Sequence, residues 1–319
     1  MWGAIVARVV FLGTPHFGIP VLEALVKHHD VVGVVTQPDR VSGRGRQRHA
    51  PPVKRVAQEY DLQILQPADL RRDAETVRAL RDMRADVFVI AAYGQMLRPE
   101  VLEIPPYGCI GVHASLLPKY RGAAPVAAAI LHGEEETGVT LMLTDEGMDT
   151  GPIIARRSIP IVPDDTRETL TRKLSRLGAA LLIETLPAWL AGDIEPREQD
   201  DDEATMAPLI SKSDGAIDWE ESAVQIDRQI RAFTPWPGSF CTCDGKNFKI
   251  LRAHPLPDWC GEGEPGTVVE VEEGIGVVTG EGLLILEEVQ LAGRRAMEVE
   301  QFCRGRRGFV ESVLGSPGQ

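Results

Sequence analysis

The chain lacks the marks of a secreted, metal-stapled or membrane-spanning protein. Its five cysteines (Cys109, Cys241, Cys243, Cys260, Cys303) are odd in number and form no C-x-x-C pair. This argues against a disulfide framework or a structural zinc site and predicts a reducing cytoplasm. No run approaches the ~18 uninterrupted apolar residues of a membrane helix. The apolar start of the chain carries Arg8 and no small-residue cleavage site before Pro15. A first strand is expected there, not a signal peptide. Nucleotide fingerprints are missing too. Gly13-Thr14-Pro15-His16-Phe17-Gly18 imitates G-x-G-x-x-G, but Pro15 has no N–H to offer a pyrophosphate. There is no G-x-x-x-x-G-K-[ST] loop, no repeat at solenoid spacing, and a single asparagine, Asn247.

A length of 319 residues predicts about two domains. At 43% hydrophobic and 25% charged residues the composition is that of a globular protein. The net charge of −13 is unevenly placed. Residues 1–192 balance 22 basic against 22 acidic side chains, and residues 193–319 hold 12 against 25. Overall acidity argues against non-specific nucleic-acid coating but leaves room for local basic patches. One patch holds Arg40, Arg44, Arg46, Arg48, Lys54 and Arg55 without an acid. The other holds Arg294, Arg295, Arg304, Arg306 and Arg307.

Short apolar runs at Ile5–Leu12, Val31–Thr36, Val87–Ala92, Cys109–His113 and Val139–Thr144 lack polar alternation, as strands buried on both faces do. Amphipathic stretches at Ile19–Lys27, Val53–Tyr60, Arg72–Arg84 and Pro125–His132 separate them, and a longer one spans about Thr166–Leu190. The alternation predicts an α/β domain over 1–192, Rossmann-like, with a mostly parallel sheet. Residues 193–210 open with DIEPREQDDDE, which predicts a solvated acidic linker. In 211–319 a helix over Ser222–Phe233 precedes strand-like runs at Ser239–Cys243, Phe248–Leu251, Thr267–Val271, Gly276–Thr279 and Leu283–Glu287. Turn signals separate these runs, and a small antiparallel barrel is expected.

The densest site signal is Cys109–Pro125. A buried strand ends at His113, and in open parallel sheets ligands bind beyond the carboxyl ends of strands. The next strand leads into Thr144-Asp145-Glu146-Gly147-Met148-Asp149-Thr150-Gly151. Asp149 could pair with His113, fixing its tautomer for acid–base work. On spacing alone, a structural histidine and a merely solvated acidic loop remain open.

Motifs along most of the chain resemble the methionyl-tRNA formyltransferase family. They include Gly13-Thr14-Pro15-x-Phe17, Thr36-Gln37-Pro38-Asp39-Arg40, Gly43-Arg44-Gly45, Ala92-Tyr93-Gly94 and His113-x-Ser115-Leu116-Leu117-Pro118. Arg121-Gly122-Ala123-Ala124-Pro125, Asp149-Thr150-Gly151, Ile217-Asp218-Trp219 and Arg231-Ala232-Phe233-x-Pro235-Trp236-Pro237 fit as well. The resemblance implies formyl transfer from 10-formyltetrahydrofolate to the α-amino group of methionyl initiator tRNA, with no metal and no obligate protein partner. It implies His113 as the polarising or acid group and Asp149 as its partner and proton relay. Ser115, Leu116, Leu117 and Pro118 would line the folate pocket. Arg44, with Arg40, Arg46 and Arg48, would probe the acceptor stem, and the C-terminal domain would be an OB-like barrel that binds tRNA. Cys109 is read as core, and Trp219 and Trp236 as packing anchors.

One position departs from the family. Its pattern has asparagine two residues before the histidine, and here that residue is Gly111. The side-chain amide expected to hold the formyl oxygen is missing, and a void of about amide size, open to a water, is expected beside His113. Two other readings stand beside the first: formyl transfer to an amino sugar nucleotide, and a catalytically silent folate- or tRNA-binding relative.

Overall fold

A computed structural model describes residues 6–42 and 47–315, and for residues 41, 42 and 47 the backbone alone. The chain divides into two compact units. One holds the residues up to Pro125 together with Glu136–Pro160 and Thr171–Ala207. The other holds Val126–Glu135, Ile161–Leu170 and the residues from Pro208 onward.

The strands of the first unit, in chain order, are β1 (Arg8–Gly13), β2 (Asp30–Val35), β3 (Arg40–Ser42), β4 (Gln47–His49), β5 (Ile64–Leu65), β6 (Val87–Ala91), β7 (Cys109–His113), β8 (Arg121–Gly122), β9 (Glu136–Leu143), β10 (Ile153–Pro160) and β11 (Met206–Ala207). Seven of them form one sheet in the order β10-β9-β7-β6-β1-β2-β5. Pairing is parallel from β7 through β6, β1 and β2 to β5. It is antiparallel between β7 and β9 and between β9 and β10. The central strands are buried on both faces, as their unbroken apolar runs demand. β10 has no counterpart among the sequence expectations. It is an edge strand whose exposure alternates along its length, so it shows no continuous apolar run.

Helices α1 (Ile19–His28), α2 (Pro52–Glu59) and α3 (Ala74–Asp82) begin where local chemistry favours a start. Prolines occupy the first turns of α1 and α2, where the missing N–H has no intrahelical partner to lose. Asp73 caps α3 by accepting the Thr76 N–H at 2.9 Å. After the short helices α4 (Pro99–Leu102) and α5 (Pro125–Leu131) comes α6 (Arg167–Ala191). Among the described residues, α6 alone is long and apolar enough by length and composition to cross a membrane. Within the first unit it lies on the sheet: a Cβ on Gly178 would come within 2.8 Å of Val112, and Leu174, Leu181, Leu182 and Leu186 are buried.

The acidic segment does not run free. Arg197 and Ile153 exchange backbone hydrogen bonds of 2.7 and 2.8 Å, and β11 pairs with β8. Its acids face solvent while its backbone completes the first unit, so composition reports only one side of it.

In the second unit, α7 (Ala223–Phe233) is capped by Ser222 and buries Ile226 and Ile230. β12 (Ser239–Cys243), β13 (Lys246–Leu256), β14 (Val268–Val271), β15 (Gly274–Val278) and β16 (Leu283–Leu291) form an antiparallel sheet in the order β12-β13-β16-β15-β14, with β17 (Met297–Glu298) on β16. The last described residues close it. Gly315 exchanges hydrogen bonds with Thr242 on β12, and Leu314 donates to Gly266 beside β14. The result is an OB-like barrel. Phe248 packs 5.1 Å from Phe302 on α8 (Val299–Gly305) and 5.7 Å from Phe309.

Candidate active site

β7 delivers His113 to the carboxyl end of the sheet with 8% of its surface exposed. Its Nε2 lies 3.0 Å from the Tyr120 carbonyl. A carbonyl can only accept, so Nε2 carries a hydrogen. Nδ1 faces Asp149 Oδ1 at 3.5 Å and is the nitrogen left to gain or lose a proton.

Asp149 reaches this position by an unexpected route. Because β9 runs antiparallel to β7, its end lies level with the start of β7, and the Thr144 N–H donates to the Cys109 carbonyl. The following loop must double back to bring Asp149 to the histidine. It does so with Asp149 in the left-handed region (φ 57°), which aspartate tolerates better than most residues. The Asp145 carboxylate gathers the loop by accepting from the Gly147 N–H and the Thr150 hydroxyl. Gly151 must be glycine, because a Cβ there would stand 1.7 Å from the Leu143 carbonyl oxygen. Asp149 Oδ2 accepts the Gly122 N–H at 2.8 Å, which aims Oδ1 at the ring.

The loop after His113 is pinned from within. Thr140 donates to the Ser115 carbonyl and accepts the Leu117 N–H. The Ser115 hydroxyl donates to the Lys119 carbonyl at 2.6 Å, and Ser115 has no exposed surface. Leu117 and Pro118 are buried as well, and only Leu116 is half-buried. Ser115 and Leu117 are thus held inside the loop by these bonds.

No void stands beside Gly111. A Cβ there would meet Met142 Cε and Thr144 Oγ1, each at 3.1 Å. Met142 pairs with Gly111 across the strands, and its flexible side chain fills the space the sequence left open. The Thr144 hydroxyl is buried without a hydrogen-bond partner.

Residues that sequence reasoning passed over complete the site. Gln199, inside the acidic segment, donates through Nε2 to the carbonyls of Asp149 and Gly151, each at 2.8 Å. Its Oε1 accepts two bonds from the Arg121 guanidinium, which also reaches Asp201 at 2.8 Å. Thr205 accepts the Tyr120 N–H on its hydroxyl and the Arg121 N–H on its carbonyl. The only sequence signal was the position of Arg121 in a recognisable motif. Nothing in the composition marks Gln199.

Of the basic loop, Arg44 and Arg46 lie outside the described residues. Arg40 is exposed and donates to Gln37 Oε1, whose amide group holds the Tyr93 and Gly94 carbonyls. Arg48 is exposed. Lys54 is engaged by Asp39, and hydrogen bonds from Gln66 and Lys54 hold the Asp39 carboxyl below the usual carboxylate range. Burial pushes the Cys109 thiol up to about 12, which suits a core residue and not a nucleophile. Trp219 is buried, as expected of a packing anchor, whereas Trp236 keeps 50% of its surface exposed. In the second basic patch Arg294, Arg295, Arg304 and Arg307 are exposed, while Arg306 pairs with Asp244 and covers the Phe302 ring. Among the described residues no three His, Cys, Asp or Glu side chains gather as metal ligands.

Comparison with known proteins places the chain among formyl transferases. Residues 7–186 match the formyl transferase family model, and residues 209–307 match the model of the formyl transferase C-terminal domain. The chain is 48% identical over 302 residues to a methionyl-tRNA formyltransferase of Roseiflexus castenholzii, covering 94% of this chain and 96% of that one. It is 44% identical over 313 residues to a methionyl-tRNA formyltransferase of Geobacter sulfurreducens, covering 98% of each. Among solved structures it resembles an N-formyltransferase from Helicobacter canadensis in complex with folinic acid and dTDP-3-aminofucose. The TM-score is 0.66 at 20% identity, over 88% of this chain and 98% of that one, a likeness of fold.

Proposed function

The chain belongs to the methionyl-tRNA formyltransferase family, and from that premise we propose that His113 and Asp149 carry its chemistry. The reaction is transfer of the formyl group of 10-formyltetrahydrofolate to the α-amino group of methionyl initiator tRNA, in translation initiation. The amine attacks the formyl carbon, a C–N bond forms, and the carbonyl opens to a tetrahedral oxyanion. That intermediate collapses as the bond to the folate nitrogen breaks. One proton must leave the amine, and one must arrive on the folate nitrogen.

The observation that carries the assignment is Nδ1 of His113 facing Asp149 Oδ1 across 3.5 Å at the end of β7. Asp149 takes the amine proton and hands it to His113 Nδ1, which delivers it to the leaving nitrogen, while the Nε2 hydrogen stays bonded to the Tyr120 carbonyl. Protonated, His113 also offers positive charge to the oxyanion, which the absent amide at Gly111 cannot do. Leu116 supplies apolar surface for the folate, with Ser115, Leu117 and Pro118 shaping the loop behind it.

Arg40, Arg44, Arg46 and Arg48 neutralise acceptor-stem phosphates, and the exposed arginines of the barrel meet the tRNA farther along. A cytoplasmic enzyme follows, since charged initiator tRNA is used there. The test compares methionyl initiator tRNA with an amino sugar nucleotide as formyl acceptor. Only the tRNA should be formylated. Arg44→Ala should weaken kcat/KM for tRNA by roughly 1–3 kcal/mol at physiological salt. Equal use of the amino sugar nucleotide, or an unchanged kcat/KM, would remove tRNA recognition from the assignment.

A further inference from the structure

Residues 197–207 touch both loops that hold His113. Thr205 fixes the turn whose Tyr120 carbonyl accepts from Nε2, and Gln199 fixes the loop whose Asp149 carboxylate faces Nδ1. We propose that Gln199 is a positioning residue for Asp149, oriented by Arg121, and that this segment is part of the machinery of formyl transfer. The proposal rests on the assignment of His113 and Asp149 given above.

Each atom of the Gln199 amide has a chemically forced role. Both N–H bonds of Nε2 go to carbonyls that can only accept, those of Asp149 and Gly151 on either side of Thr150. Oε1 meets the Arg121 guanidinium at 3.1 and 2.9 Å, and a guanidinium can only donate. The amide therefore cannot flip without placing oxygen against two carbonyls and N–H groups against a cation.

Arg121 is held in turn. Its side chain is 7% exposed, and its remaining contact is Asp201 Oδ1. The backbone bonds between Arg197 and Ile153 fix the segment just before Gln199, so the amide is presented from a tethered stretch of chain.

The loop needs such a hold. Asp149 occupies a left-handed conformation on a turn that doubles back from the far end of β9. Asp145 ties the turn internally, but Gln199 is what fastens the carbonyls around Asp149 to another element. Displacement of a reacting group by about 1 Å can lower a rate by roughly 10²-fold without changing what binds.

The experiment measures single-turnover formylation and KM for both substrates in the full-length protein, with Gln199→Glu and Gln199→Met. Glutamate keeps the Arg121 contact but turns oxygen toward the two carbonyls. Methionine keeps the length and loses both functions. Each variant is assayed well below its own Tm, so that the folded form is compared. The expected result is a loss in rate of about 10- to 100-fold with KM for folate and tRNA within about twofold. In an Asp149→Asn background the same substitutions should cost no further rate, since a misplaced group has then already been removed. A wild-type rate in Gln199→Glu, or a full additional loss in the Asp149→Asn background, would overturn the proposal. Absence of formylation by the wild-type protein would instead overturn the functional assignment beneath it.

Discussion

Residues 109–118 carry His113 and residues 197–207 hold the loops that meet it, yet the two come from opposite kinds of sequence. The first is a strand buried on both faces, written in apolar residues and followed by a recognisable motif. The second is a run of acids whose side chains face water while one glutamine and one threonine hold the site's loops. Burial by packing leaves a trace in composition, because most side chains packed into a core are apolar. Anchoring by a side-chain amide on backbone carbonyls leaves almost none, because one glutamine among acids looks like solvated chain.

The comparison breaks first at its centre. His113→Ala removes the group that both regions serve, and turnover should fall by about 10²–10⁴ with the folate Kd nearly unchanged. A fall of less than tenfold would mean that both loops are built around something other than this ring.

Gly111→Asn tests the strand side alone. Restoring an oxyanion donor should raise turnover on methionyl-tRNA by about 10²-fold, with little change in folate affinity. The new Cβ must push back the Met142 methyl, which is the free end of a flexible side chain. The Thr144 hydroxyl, now without a partner, lies 3.1 Å from that Cβ and could bond the new amide. If the glycine protein already matches its asparagine variant in single-turnover rate, the family's amide is not the missing donor here.

The smallest effect belongs to the acidic side. Asp201 is 82% exposed where it meets Arg121, so water can replace it at the guanidinium tip. Asp201→Ala should lower stability by about 0–1 kcal/mol and leave the rate within about threefold. A loss as large as that expected for Gln199 variants would show that the acids themselves, and not the amide, hold the site.

How much could be read beforehand follows the same division. Strands β1, β2, β6 and β7 were legible from apolar runs, and His113 and Asp149 from their motifs. The antiparallel turn of β9 was not, because a buried strand carries no mark of direction. Its partner β10 was hidden by the alternation of an edge strand. The void expected at Gly111 failed for a different reason. A missing side chain in one strand does not show which neighbour will fill the space, and here Met142 does. Exposure of Trp236 escaped as well, since an indole in a proline-flanked segment looks the same whether buried or half in water.

The central claim is that proton transfer between Asp149 and His113 drives formyl transfer at this site. It is tested most directly by single-turnover formylation of methionyl initiator tRNA, at saturating 10-formyltetrahydrofolate, by the wild-type protein and by Asp149→Asn. The amide keeps the shape of the carboxylate and can still accept the Gly122 N–H, but it cannot take a proton from the amine. A rate lowered by about 10²–10⁴ with unchanged folate affinity is the predicted result. An Asp149→Asn protein that formylates the tRNA at the wild-type rate would contradict the account.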